Sequence, residues 1–181
     1  MGLTIVQKAD TLGTFRFLCV QMMETLAEWV PTSPELEVKT LFGRHIWQFA
    51  QHADAFGHRT VELRAKLHYD RPPIEEYQAA LRPVREAAGS GNRIAGFYDA
   101  LLPDLASRFQ TYLAHTDELL DAPTVEIIRR ALSDFERMQS DRRKVAEQRP
   151  DVLADPEWVD RVRRALASCG EFVNPREGVA S

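Results

Sequence analysis

Cysteine is almost missing from this chain of 181 residues: Cys19 and Cys169 stand far apart, without the spacing of a metal site. Two distant thiols give no disulfide framework, and the expected setting is a reduced, cytoplasmic one. Long hydrophobic runs are missing as well. No stretch approaches the ~20 apolar residues of a membrane span, so no membrane is expected. The opening MGLTIVQKAD lacks the basic and apolar regions of a signal peptide, and Val6 breaks the myristoylation pattern. An excess of positive charge is also absent. The net charge is −4, and the arginine clusters at 129–130, 142–143 and 161–164 are interleaved with acids. They read as solvated helix faces, and nucleic acid is not an expected partner.

Strand signals are nearly absent, because β-branched and aromatic residues seldom alternate with polar ones. Catalytic signatures are sparse too. The chain has no Gly-x-Ser-x-Gly elbow and no His-Glu-x-x-His. GSGNR at 89–93 follows no strand, so it reads as a flexible linker and not a phosphate loop.

Helical periodicity fills the space these absences leave. Phe15, Leu18, Met22, Leu26 and Trp29 recur at three- and four-residue steps, predicting a first helix over 14–30 that stops at Pro31. Ser33 is placed to cap the next helix and Pro34 to open it. With no further proline before Pro72, that helix is expected to run to about Tyr69. The stretch 70–91 reads as a long crossover holding a short helix over 74–81. A third long helix is expected over 93–120, kinked or divided at Pro103. A fourth runs from Asp121 to Gln148, and Asp155-Pro156-Glu157 starts a short fifth that reaches Ser168. The expected architecture is an all-α bundle of four main helices, forming one domain over 1–170 with a flexible tail at 171–181.

Three of the five histidines lie in LFGRHIWQFAQHADAFGH, residues 41–58. On a helical wheel Phe42, Phe49, Phe56 and Leu63 make an apolar seam. His45, Gln48 and His52 form a neighbouring row about 60° away, and His58 points elsewhere. Residues seven apart are separated by a rise of ~10 Å, so His45 and His52 cannot close on a single ion. The row suits a ligand or general base at His52, a polar cavity lining, or hydrogen-bonded histidines packed at the core edge.

PELEVKTLFGRHIWQFAQHADAFGHRTVELR (34–64), followed by DAPTVEIIRRALSDFERM (121–138), resembles the ferritin-like superfamily, most of all small bacterial members of unassigned function. The resemblance implies a ferritin-like four-helix bundle around a centre that is commonly di-iron, with a Glu from one helix and a Glu-x-x-His from the next. Carried across residue by residue, it puts Glu24 in the first helix, with Glu28 as fallback, and His52 in the second. Glu136 is the nearest acid in the fourth. The pattern breaks at Phe49, where a carboxylate would stand, and at Met138, where a histidine would. Phe135 follows Asp134 in place of the second motif's Glu.

Three functions remain open. One is an enzyme acting on a small molecule without metal, with His52, Glu24 and His45 as catalytic residues. The second is a di-iron oxidoreductase with Glu24, His52 and Glu136 among its ligands. The third is a non-catalytic bundle that dimerises or binds a partner. A small-molecule ligand and no cofactor are the leading expectations, with iron and a homodimer as alternatives.

Overall fold

The computed structural model describes residues 3–67 and 69–172, so the expected tail lies outside the described residues from 173 onward. The chain is all-α, with no strand among the described residues. Its helices are α1 (Ile5–Trp29), α2 (Leu36–Glu62), α3 (Glu75–Arg85), α4 (Ser90–Ile94), α5 (Leu102–His115), α6 (Ala122–Gln148) and α7 (Pro156–Ser168), with a π-helical segment Ala95–Leu101 joining α4 to α5. No described helix is long and apolar enough to cross a membrane.

α1 begins at Ile5, more than two turns before the apolar stripe that predicts it. A capping box explains the early start: the Thr4 side chain accepts from the Gln7 backbone, and the Gln7 side chain accepts from the Thr4 backbone. α2 starts later and ends earlier than expected. Ser33 does not cap it; its hydroxyl donates instead to the Trp29 carbonyl at the end of α1. At the other end Arg64 adopts φ 65°, which halts the helix seven residues short of the first downstream proline's neighbourhood. α5 closes at His115, and the Asp117 side chain accepts from the Leu119 and Leu120 backbones in the turn that follows.

The π segment is real backbone widening, since the Leu102 amide donates to the carbonyl of Phe97, five residues back. Pro103 follows at the start of α5, where its missing N–H costs least. The helical backbone runs on through Pro103 without a break, so the third long helix is widened just ahead of the proline and not cut by it. GSGNR corrects one expectation: from Ser90 it is the start of α4, not a flexible linker. Its backbone presses so close to the 153–154 segment that a Cβ on Gly91 would lie 1.8 Å from the Leu153 carbonyl oxygen.

α1 and α2 pack antiparallel. Phe15 faces Phe56 at 5.7 Å between ring centroids, and Trp29 faces Phe42 at 5.5 Å. Between them runs an aromatic core completed by the π segment, α5 and α6. Phe49 meets Phe97 at 5.6 Å and Phe135 at 5.8 Å, while Phe109 meets Phe15 at 4.5 Å and Phe135 at 5.5 Å. Phe15, Phe42, Phe49, Phe56, Phe97 and Phe109 are wholly buried. Rings of this size dominate core energetics, at roughly 3–5 kcal/mol lost per phenylalanine truncated to alanine.

Two buried charges tie the ends of the helices together. Asp121, wholly buried ahead of α6, accepts from Tyr112, Thr116, Thr124 and Arg59 at 2.6–2.9 Å, with Lys8 at 3.4 Å. Arg108 of α5 pairs with Asp104 and donates to the Leu166 carbonyl in the last turn of α7 and to the Gly170 carbonyl beyond it. Its guanidinium lies over the rings of Tyr77 and Phe172. Both charges are paired and hydrogen-bonded, the condition for a tolerable buried ion.

Candidate functional site

The histidine row of α2 faces α6. His45 and His52 are 0% and 3% exposed, while His58 lies on the outer face beside Asp54. His52 Nε2 stands 3.2 Å from Asp134 Oδ2, and His45 Nε2 stands 3.6 Å from Asp141 Oδ2. Seven residues down α2 are matched by seven residues back along α6. The same antiparallel register continues eight residues the other way, where Glu37 meets Arg149 at 3.2 Å. The α2–α6 seam is therefore a ladder of polar pairs beside the aromatic core.

Neither histidine is fully satisfied. His45 Nδ1 shares a 2.7 Å hydrogen bond with the buried Tyr98 hydroxyl on the π segment. Its Nε2, like His52 Nε2 and Gln48 Oε1, is buried without a hydrogen bond. The 3.6 Å approach to Asp141 is too long for one, and the 3.2 Å approach of His52 to Asp134 is out of line. Asp134 is instead engaged by Arg137, and Asp141 by Arg44 and Lys144.

Burial pushes the His52 imidazole down to about 4, helped by Arg130 and Arg137. Burial also takes His45 to about 4, with Asp141 opposing and Arg44 assisting. Burial, with Asp141 nearby, holds the Tyr98 hydroxyl well above its ordinary value. Near neutral pH both imidazoles are uncharged, and Tyr98 is a phenol. Such a neutral row can bridge two helices, but a base at about 4 is a weak proton acceptor at pH 7.

The structure does not bring the sequence-derived site residues together. The α1–α2 register sets Cys19, not Glu24, level with His52. Glu24 is exposed and accepts from Gln21 at 3.0 Å. Glu28 is also exposed and takes Arg85 as partner. Glu136 faces outward on α6, while its neighbours Asp134 and Phe135 are buried. His45 and His52 do share a face, but His52 is buried while Glu24 stands exposed on α1. The His52 ring packs edge-on to Phe49 at 6.3 Å and Phe135 at 5.9 Å.

A di-iron centre does not fit these residues. It needs several convergent carboxylates, and the interior offers phenyl rings where they would stand. Among the described residues no three His, Cys, Asp or Glu side chains gather closely enough to hold an ion. The partners the sequence reading missed are Asp134, Asp141 and Tyr98. The signal for the first two was present, since Asp134 and Asp141 repeat the seven-residue step of His45 and His52. Tyr98 carried none, because the π segment sets its direction.

Open space lies elsewhere. A cavity of about 240 Å³ opens between α1, α3 and the π segment, walled by Phe17, Leu18, Met22, Leu81, Val84 and Leu101. Gln21, Thr25, Gln78, Arg82 and Arg85 complete its lining. Comparison with protein-family models, with curated proteins and with solved structures finds no match to this chain. The geometry alone therefore carries the functional argument.

Proposed function

We propose that this protein is a small-molecule-binding helical bundle on a ferritin-like framework, and that it works through the α1–α3–π cavity without a di-iron centre. One observation carries this reading. The interior that a ferritin-like reaction would use is packed with phenylalanine, whereas an apolar-walled cavity with polar groups in its lining lies beneath α3. Apolar walls with a few convergent polar groups are the ordinary composition of a ligand site. The neutral histidines fit a packing role here, because they bridge α2 and α6 without facing that cavity.

The test uses a neutral single-ring dye whose emission reports polarity, 4-(dimethylamino)benzonitrile, which is small enough for a cavity of about 240 Å³. The dye's fluorescence should rise on binding the full chain, and Leu81→Trp, which fills the cavity from a half-buried position, should abolish the rise with the melting curve unchanged. His52→Gln should leave dye binding intact. Equal dye binding by Leu81→Trp would sink the reading.

A further inference from the structure

The face of α3 that looks into the cavity is written in its sequence. Gln78, Leu81, Arg82 and Arg85 fall at steps of three, four and seven from Gln78, one helical face. Tyr77, Ala80 and Val84 are the buried residues that hold α3 to the fold, and Val84 also walls the cavity, where the packing stripe meets the cavity face. Across the gap α1 offers Phe17, Leu18, Gln21, Met22 and Thr25.

The polar groups around the cavity can be accounted for one at a time. The Gln21 amide donates to Glu24, and the Thr25 hydroxyl to the Gln21 carbonyl at 2.7 Å. The Gln78 amide donates to the Pro73 carbonyl at 2.8 Å, and Arg85 Nε to Glu28 at 3.1 Å. Arg82 differs. Its guanidinium has no hydrogen bond or ion pair among the described residues, although it lines the cavity. A single uncompensated cation thus stands at the mouth of an apolar pocket.

Resting on the ligand-binding reading above, we propose that the ligand is a small monocarboxylate with an apolar body, its carboxylate held by Arg82 and its hydrocarbon seated between α1 and α3. The planar guanidinium matches a carboxylate with two parallel N–H donors. The volume of about 240 Å³ holds about eight water-sized groups, which fits a short chain or a single ring. The neighbouring acids set the charge of the ligand. Glu28 already neutralises Arg85, and Glu24 is close enough to act on Arg85 electrostatically. Arg82 offers one guanidinium, which balances a monoanion, whereas the second negative charge of a dianion such as a phosphate ester would be left facing Glu24 and Glu28.

The experiment compares octanoate, octanol and octylamine as displacers of the bound neutral dye from the full chain at low ionic strength. The three share a hydrocarbon tail and differ only in head group. Octanoate should displace the dye at about one-fifth the concentration octanol needs, the scale of a partly exposed ion pair, and octylamine should be the weakest. Arg82→Gln, an exposed position that does not endanger folding, should bring octanoate to the level of octanol, with Arg82→Lys restoring part of the difference. Glu24→Gln should strengthen octanoate by about twofold, an effect that added salt removes. If octanoate and octanol compete equally and Arg82→Gln changes nothing, the carboxylate assignment is overturned while the cavity still binds apolar ligands. If none of the three displaces the dye, the cavity reading falls with it.

Discussion

Acidification should unfold this protein through His45 and His52 before its carboxylates titrate. Both imidazoles are buried and neutral in the fold, with pKa values pushed down to about 4, against about 6.5 in an unfolded chain. Between those limits the unfolded state binds more protons than the folded one, so stability falls as pH falls through 6.5 and stops falling below about 4. Each histidine contributes a slope of at most about 1.4 kcal/mol per pH unit, and a total loss of about 3 kcal/mol. Two together remove about 6 kcal/mol, a large part of the roughly 5–15 kcal/mol that holds a domain folded.

The groups facing each ring set the asymmetry between them. His52 sees Asp134, Arg130 and Arg137 of α6, while His45 sees Asp141 of α6, Arg44 of its own helix and Tyr98 of the π segment. His52→Phe keeps the edge-on packing with Phe49 and Phe135 and leaves Asp134 paired with Arg137, so stability at pH 7.5 should change by less than about 1 kcal/mol. His45→Phe strands the buried Tyr98 hydroxyl and should cost about 1–3 kcal/mol at the same pH. Each substitution should halve the acid slope. Urea denaturation at pH 7.5, 6.5, 5.5 and 4.5 measures both quantities. A wild-type stability that is flat from 7.5 to 4.5, or an undiminished slope in His52→Phe, would refute the reasoning.

Two further substitutions probe the frame around the site. Asp121→Ala leaves Arg59 without its buried acceptor and frees the hydroxyls of Tyr112, Thr116 and Thr124, so chemical denaturation should register a loss of about 3–5 kcal/mol. Gly91→Ala should destabilise by about 2 kcal/mol, although alanine is the better helix former, because its Cβ would meet the Leu153 backbone and not a movable side chain. A neutral or stabilised Gly91→Ala would show that the 153–154 segment yields easily.

The helices were legible where an apolar stripe met a local stop signal. The seam of Phe42, Phe49 and Phe56 is buried as the wheel predicts, and α7 starts at Pro156, with the Asp155 side chain accepting from the Glu157 and Trp158 amides. Boundaries failed where a side chain had two partners to choose between. Ser33 could cap α2 or close α1, and its hydroxyl went to the Trp29 carbonyl. Nothing in a propensity scale separates those choices, since both satisfy the same hydroxyl. The π segment was invisible for a related reason. One extra residue in a turn is set by how Phe97 and Tyr98 pack against Trp29, Phe42 and Phe49, contacts that are distant in sequence.

The candidate site divides along the same line. Sequence spacing placed His45 and His52 on one face, but chemistry depends on what meets them from another helix. An antiparallel partner matches a seven-residue step with a seven-residue step, so Asp134 and Asp141 were the acids to seek. Glu24 and Glu136 were chosen by analogy to a ligand pattern, and both lie exposed. Phe49 explains why the analogy stops there. A phenyl ring at the motif's carboxylate position brings Phe97 and Phe135 to within 6 Å, and the centre becomes hydrocarbon. A hydrocarbon centre desolvates the two imidazoles and drives their pKa values to about 4, which removes them as bases at neutral pH while leaving them able to join α2 to α6. The same residue that fills the interior with hydrocarbon thus turns the histidines into acid-sensitive struts, while open space lies at the surface beneath α3.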